Sequence, residues 1–416
     1  MDSKEQLVDY LQSWDITSSY PASMVIGDMF PMGAWHKCSA KFIKKYDPNL
    51  RMFCYIFRLR IYNVKFVASH GMPYLSKSKC KFNKKEITED NGRIYHCTGW
   101  LETAITNIDW WIIKKDYTFD EDKIYMQNIL FAPKGKLPFE LRNTVMEYYK
   151  KKTLLKDVEG KEYEYLKSKN AVNSCYGMMV TAIDMKTTVY VDGNYKLEET
   201  PIDELLDKFY SSRNSFLSYQ WGIFVTALSR LRLHEMLWII GEDCIYCDTD
   251  SIKCKHDHTR EFNTINERLK TEAEKAGAYA DNKNGERFYL GVWSFEGNLS
   301  KFKTLGSKKY ITTKIMVDGT EGIYSTIAGV NVIRGAAFFR KNGLQSFKDG
   351  TVIENSGHLL AYYNDDDIHE ITVDGCTFKT ASNIALIDDT YTIGKTGTLR
   401  DIIDKMLENI SNVVYN

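Results

Sequence analysis

Three short segments carry residue types whose spacing could do phosphate chemistry. In Tyr246-Cys247-Asp248-Thr249-Asp250-Ser251 two carboxylates stand two residues apart between short apolar runs. Side chains alternate along a strand, so the spacing puts Asp248 and Asp250 on one face at a hairpin tip. Carboxylates held that close repel by ~4 kcal/mol even in a fairly polar surrounding, so one takes up a proton or a cation neutralises both. All-oxygen ligands of this kind suit Mg²⁺, whose octahedron water and phosphate oxygens complete. Asp15 precedes a turn in Trp14-Asp15-Ile16-Thr17-Ser18-Ser19-Tyr20-Pro21. Pro21 restricts Tyr20 to an extended conformation and can open a helix, which leaves Asp15 at a strand end. Lys169, Asn173 and Tyr176, at i, i+4 and i+7, share a helix face that ends at Gly177, a natural C-cap. They offer a cation, an amide and an aromatic plane to a nucleotide. Taken singly, each segment has a simpler reading as an exposed acidic turn, a helix cap or an amphipathic surface helix.

The elements that must position these residues follow from the patterning. Helical periodicity spans about 138–151, 161–176, 220–240, 259–276 and 398–409, and strands are expected at 243–248, 251–255, 309–316 and 384–393. Phe53 to Tyr62 has the aromatic, β-branched look of a strand, whereas Tyr10-Leu11-Gln12-Ser13-Trp14 reads poorly as one. Cys244, Cys247, Cys254, His256 and His258 invite a zinc reading, but Cys244 and Cys247, three apart on a strand, face opposite ways.

Composition bounds the function. The chain has 416 residues, 44% hydrophobic and 13% aromatic, which excludes a disordered protein and leaves room for several compact units. It begins with a polar segment and has no apolar run of bilayer length, so a soluble protein with no membrane partner is expected. Nine scattered cysteines suit reduced thiols. Lys+Arg and Asp+Glu balance at 55 each, yet between Lys37 and Lys85 the many basic residues meet Asp47 alone. The zero sum therefore hides a basic stretch, and nucleic acid stays open as a partner.

Taken together and in order, the segments resemble the three polymerase motifs of family B DNA polymerases. Asp15 to Pro21 is similar to D-x-x-S-L-Y-P, Lys169 to Gly177 to K-x-x-x-N-S-x-Y-G, and Tyr246 to Ser251 to Y-x-D-T-D-S; Lys308-Lys309-Tyr310 resembles the K-x-Y motif. Lys308 and Tyr310 would share a strand face there. Within the family the likeness is to the protein-primed enzymes of small tailed bacteriophages. About 150 residues between the first two motifs, far more than an ordinary loop, leave room for a first terminal-protein region, in which Leu101 to Asp109 is similar to the family's segment. Thr187 to Tyr195 reads as a second inserted hairpin, and Ala385 to Ile393 resembles the closing hairpin of the thumb.

The resemblance implies an α+β right-hand polymerase fold: palm with antiparallel sheet and helices, helical fingers and a small thumb. Its parts would be palm at 1–26 and 211–335, a first insertion at 27–140, fingers at 141–180, a second insertion at 181–210, thumb at 336–395 and a C-terminal helix or tail at 396–416. It implies DNA-directed DNA synthesis, with dNTPs added to a primer 3′ hydroxyl or a terminal-protein hydroxyl. Asp15, Asp248 and Asp250 would be catalytic and hold two Mg²⁺ ions, with Mn²⁺ as an alternative. Lys169, Asn173, Tyr176, Tyr20 and a second base, Lys152 or Lys156, would receive the nucleotide; Thr249, Lys308 and Tyr310 would hold primer and DNA. Implied partners are template-primer DNA, dNTPs and a terminal protein, in a host cell's cytoplasm if the source is viral. The chain begins fourteen residues before Asp15, so a 3′–5′ exonuclease domain is expected to be missing, and a separate subunit could supply it. Ser19 stands where the signature has Leu, which trims the expected pocket wall. The alternative is a DNA-binding or terminal-protein-docking polymerase relic. Reverse transcription fits less well, because the hairpin reads Asp-Thr-Asp; Asp388-Asp389 and Asp365 to Asp367 are decoys for an adjacent pair.

Overall fold

The structure is a computed structural model. It describes residues 7–83, 86–182, 187–191, 194–198, 200–212, 218–315, 320–357, 359–362, 368–373, 376–381, 385–388 and 390–394. The expected C-terminal helix at 398–409, the tail and the acidic run Asp365 to Asp367 lie outside these residues. In chain order the helices are α1 (Ser19–Ile26), α2 (Ala40–Tyr46), α3 (Asn107–Asp116), α4 (Phe139–Leu155), α5 (Glu162–Met179), α6 (Ile202–Ser211), α7 (Tyr219–Ile240), α8 (Thr259–Ala276) and α9 (Val332–Asn342). None of the described helices is long and apolar enough to cross a membrane. The chain divides into a larger unit built on Tyr10–Thr181 and Phe216–Asn298 and a smaller one built on Ala182–Ser215 and Leu299–Thr396.

In the larger unit, the hairpin of Cys244–Asp248 and Ser251–Cys254 lies beside Val8–Ile16, which neighbours the strand beginning at Trp293. Val8–Ile16 is therefore a strand, although its sequence reads poorly as one. Tyr10 has φ 55° and breaks the alternation, and the strand is held by distant partners: Trp14 stacks on Phe262 of α8 with ring centroids 4.1 Å apart. Trp14 and Ile16 are buried with Leu237 of α7 and Phe262 of α8 on one side of this sheet. Gly277, at φ 65°, ends α8 in the left-handed conformation that glycine adopts without penalty.

A second core in the same unit belongs to the stretch between Asp15 and Lys169. Its long strands Phe53–Phe66, Arg93–Thr106 and Tyr125–Gly135 pair antiparallel with Phe53–Phe66 in the middle, and Tyr55, Phe57, Leu59 and Ile61 are buried. Their inward alternation explains why this segment is legible as a strand. Helix α3 follows at once, started by a capping box in which Thr106 and Asp109 satisfy each other's backbone N–H groups. The basic stretch is partly matched on this sheet: Arg58 and Arg60 meet Glu102 at 3.4 and 2.7 Å, and Lys77 meets Glu89 at 2.8 Å.

In the smaller unit, the part of the Trp293–Gly306 strand from Leu299 onward pairs with Lys309–Ile315, which pairs with Glu321–Ile327. Phe339 of α9 packs with Leu305, Ile311, Ile327, Phe347 and Ile393. The hairpin expected at Thr187 to Tyr195 is present as Thr187–Val191 paired with Asn194–Glu198. Ala385 to Ile393 does not close on itself: Ala385–Asp388 pairs with Leu359–Tyr362, and Tyr391–Thr392 with Val352–Ile353.

Candidate active site

The carboxylates of the first and third motifs meet through backbone pairing. Asp15 lies opposite Ser251, Asp248 is also opposite Ser251, and the Ile16 N–H donates to the Asp250 carbonyl at 2.8 Å. The two strands of the hairpin are joined by Thr249 and Asp250, and Thr249 takes φ 55° where such a tight turn ordinarily has glycine. Its hydroxyl donates to Asp248 Oδ1 at 3.0 Å. Burial, followed by repulsion from Asp250 and Glu296, pushes the Asp15 carboxyl up to about 7, with Lys253 opposing. That is the electrostatic signature of an oxygen-only donor set short of positive charge, and a divalent cation fits it. Glu296, on the Trp293–Gly306 strand, was not singled out from sequence; a lone Glu in a strand of mixed composition gives no local signal.

Helix α5 carries the second motif, and α4 before it carries Lys152. Lys152 on α4 donates to the Ser18 hydroxyl at 3.1 Å, which ties it to the turn after Asp15. Burial, then the charges of Lys169 and Lys156, lower the Lys152 ammonium pKa, so these cations repel one another. Lys152 rather than Lys156 is the one bonded to the first motif. Lys169, Asn173 and Tyr176 all lie on α5, with Lys169 and Asn173 exposed and Tyr176 half-buried. Gly177 does not cap the helix, which runs on to Met179. Met179 is buried beneath the start of α7, and that packing carries the last turn past the glycine.

Tyr20 lies in the first turn of α1, not in an extended residue before it. The preference imposed by Pro21 is overridden, and proline is accommodated because first-turn N–H groups need no helical partner. The Tyr20 ring is 4.5 Å from that of Tyr176 at an interplanar angle of 44°. Burial, Tyr176 and Asp250 raise the Tyr20 phenol pKa, and Arg230 of α7 opposes them. Arg230 thus stands near both tyrosines, and it is fixed by Asp109 of α3 through bonds of 3.1 and 2.8 Å. Ser19 does not line an open wall: it is 2% exposed, and its hydroxyl is bonded to that of Ser229 at 2.5 Å.

Lys308 and Tyr310 lie in the smaller unit. Lys308 is in the turn before Lys309–Ile315, at φ 55°, so the argument that strand alternation puts it on one face with Tyr310 does not hold. The strand starts at Lys309, as expected, and the left-handed turn leaves Lys308 just outside it.

The zinc reading fails on partners. His256 Nδ1 and His258 Nε2 both turn to Asp243 Oδ2, at 3.0 and 2.9 Å, while Cys244 and Cys254 are buried in the core opposite one another. Among the described residues, His70, Asp116 and His234 have ligand atoms within 4.8 Å of one another. The Met72 N–H donates to His70 Nδ1 at 3.1 Å, so the ring proton sits on Nε2, which faces Asp116 Oδ1 at 3.4 Å. A metal on Nε2 would need the proton on Nδ1, where the Met72 N–H already points. Asp116 is the anion of the trio: Trp238 Nε1 donates to its Oδ1 at 2.6 Å, and His234 Nδ1 lies 3.1 Å from its Oδ2.

No protein-family model and no curated protein matches the chain. Solved structures of Phi29 DNA polymerase do match. The complex with primer-template DNA superposes with a TM-score of 0.62 at 18% identity, covering 94% of this chain and 59% of that one. This chain folds like a DNA polymerase. The Phi29 complex with primer-template DNA and incoming nucleotides gives 0.60 at 19%, again over 94% and 59%. The complex with single-stranded DNA gives 0.59 at 18%, over 94% and 58%. The chain thus spans less than two thirds of the length of the Phi29 polymerase chains it matches.

Proposed function

We propose that the protein is a template-directed DNA polymerase of the family B, protein-primed phage type. The observation that carries the reading is the convergence, within one unit, of Asp15 and Asp250 at the sheet with the Lys152–Lys169 cations and the Tyr20–Tyr176 pair. In this reading the sheet around Asp15 and Asp250 is the palm, α4 and α5 are the fingers, and the separate core between Asp15 and Lys169 is the terminal-protein region.

Asp15 and Asp250, with Asp248 beside them, would hold two Mg²⁺ ions, or Mn²⁺. Bound there, the cations would supply the charge stabilisation that transfer of a nucleotidyl group to a 3′ hydroxyl requires. Lys152 and Lys169 would neutralise the triphosphate, the first braced by Ser18. Tyr20 would lie against the sugar and exclude a 2′ hydroxyl, while Tyr176 and Asn173 would face the nascent pair, an aromatic contact that tolerates any base. Thr249 would contact the primer terminus, and in the smaller unit Lys308 and Tyr310 would contact DNA. The primer would be a DNA 3′ end or the hydroxyl of a terminal protein. Extension of a labelled primer-template with Mg²⁺, run beside transfer of a labelled dNMP to a candidate terminal protein, tests both; absence of both products refutes the reading.

A further inference from the structure

We propose that Ser19 and Ser229 form a buried hydroxyl clasp that fixes the rotation of α1 and thereby places Tyr20 for nucleotide selection. The inference rests on the polymerase reading above and names positioning residues for that site. Both serines are almost wholly buried, at 2% and 1% exposure, and their hydroxyls are bonded to each other across 210 residues of chain. A buried hydroxyl without a partner is costly, so each serine at this contact calls for the other.

The clasp acts at the N-terminal end of α1, which has no side-chain cap, while Ala22, Met24 and Val25 bury the rest of the helix in the core. Its N-cap residue, Ser18, is in the left-handed conformation and makes no side-chain cap; its hydroxyl oxygen accepts from Lys152 instead. Helix α1 is only eight residues long, and Tyr20 directly follows Ser19. Rotation of so short a helix about its axis would carry the Tyr20 ring away from Tyr176, 4.5 Å off. At the other end, Gly27 lets α1 approach α7 closely: a Cβ there would stand 2.8 Å from Leu228 Cδ1. Leu228 and Ser229 are neighbours on α7, and Arg230, next along, is held by Asp109. One turn of α7 therefore grips α1 at both ends and is itself braced from α3. In the motif signature the place of Ser19 is taken by Leu, which could make no such bond, so the clasp is a feature of this chain's own residues.

The test compares Ser19→Ala, Ser229→Ala and the double variant with the unaltered protein in single-nucleotide incorporation, using matched dNTP and rNTP. Loss of one hydroxyl bond predicts a rise of about three- to tenfold in dNTP KM for each single variant, with kcat little changed. The dNTP-over-rNTP preference should fall by a similar factor. The double variant should match either single variant, because the bond is already lost in each. Melting by circular dichroism monitors folding; should a single variant lose its native melt, the double variant, which carries no orphan hydroxyl, provides the comparison. Unmoved KM and preference, or a double variant as impaired as the product of the singles, overturns the clasp. A wild-type protein that adds no nucleotide with Mg²⁺ or Mn²⁺ overturns the polymerase reading itself, and the clasp's role with it.

Discussion

Asp109 of α3 and Arg230 of α7 are joined by two hydrogen bonds from one guanidinium edge, Nε at 3.1 Å and Nη2 at 2.8 Å, to a single carboxylate oxygen. The other oxygen accepts from the Thr106 N–H and hydroxyl, so one buried carboxylate both caps α3 and ties it to α7. Asp109→Ala removes one half of the capping box and leaves the guanidinium without this carboxylate. Arg230 is 34% exposed, and water softens that loss, so a destabilisation of about 2 kcal/mol is expected rather than the full cost of orphaning a buried charge. A urea unfolding midpoint unchanged from wild type would contradict it.

One face of α7 carries Arg230, His234 and Trp238, and the last two meet Asp116, seven residues beyond Asp109 on α3. Burial acts to raise the Asp116 carboxyl, but the donors from His234, His70 and Trp238 outweigh it and hold it at about 2, below the ordinary 3.8. Burial holds His234 below its ordinary 6.5, although Asp116 pulls the other way. In both cases the unfolded chain binds protons that the folded chain refuses, so stability falls as pH falls. The His234 share is present above about 6.5 and declines below it, while the Asp116 share is lost between about 4 and about 2. Urea midpoints measured downward through this range should decline in wild type and less steeply in Asp116→Asn; a midpoint rising with acid would refute the assignment.

Gly27 is a close approach rather than a turn. A Cβ there would lie 2.5 Å from the Ser23 carbonyl, 2.8 Å from Leu228 and 2.9 Å from Phe30. Because a backbone oxygen is among these contacts, Gly27→Ala should cost about 1–3 kcal/mol. Thermal unfolding compared with that of Gly33→Ala, where no atom lies within 4 Å but φ is +80°, separates crowding from backbone strain. Since Gly27 has an ordinary φ of −59°, an unchanged melt in Gly27→Ala would show that crowding there adds nothing.

The charge of Lys169 is felt at Lys152, and a triphosphate would relieve the repulsion. Lys169→Ala should raise dNTP KM about tenfold or more while primer-template affinity stays near wild type. A normal KM would move the phosphate contact elsewhere. Tyr20→Val, by contrast, should raise ribonucleotide use, and an unchanged dNTP/rNTP ratio would count against the gate.

Local pattern carried the reading far where an element is made by its own sequence. The amphipathic run at 259–276 is α8 at the same bounds, and the 220–240 run is α7 to within a residue. The acidic hairpin and the lysine helix were legible because their residues are neighbours in the chain. Distant partners decided the remainder. Val8–Ile16 is a strand because Phe262 and the Ser251–Cys254 strand receive it. The last turn of α5 continues past Gly177 over buried Met179, and Ser19 finds its partner 210 residues away. Arg230, Glu296 and Asp109 matter through proximity to the motif residues, which no spacing along the chain encodes.

The central claim is that Asp15 and Asp250 jointly serve templated nucleotide addition. Its most direct measurement is single-nucleotide extension of a primer-template with Mg²⁺ by the wild-type protein and by Asp250→Ala, with DNA binding measured on both. The account predicts addition of the templated dNTP by wild type, none detectable by the variant, and near-equal DNA affinity. Incorporation by Asp250→Ala at the wild-type rate, or none by the wild type, would contradict it.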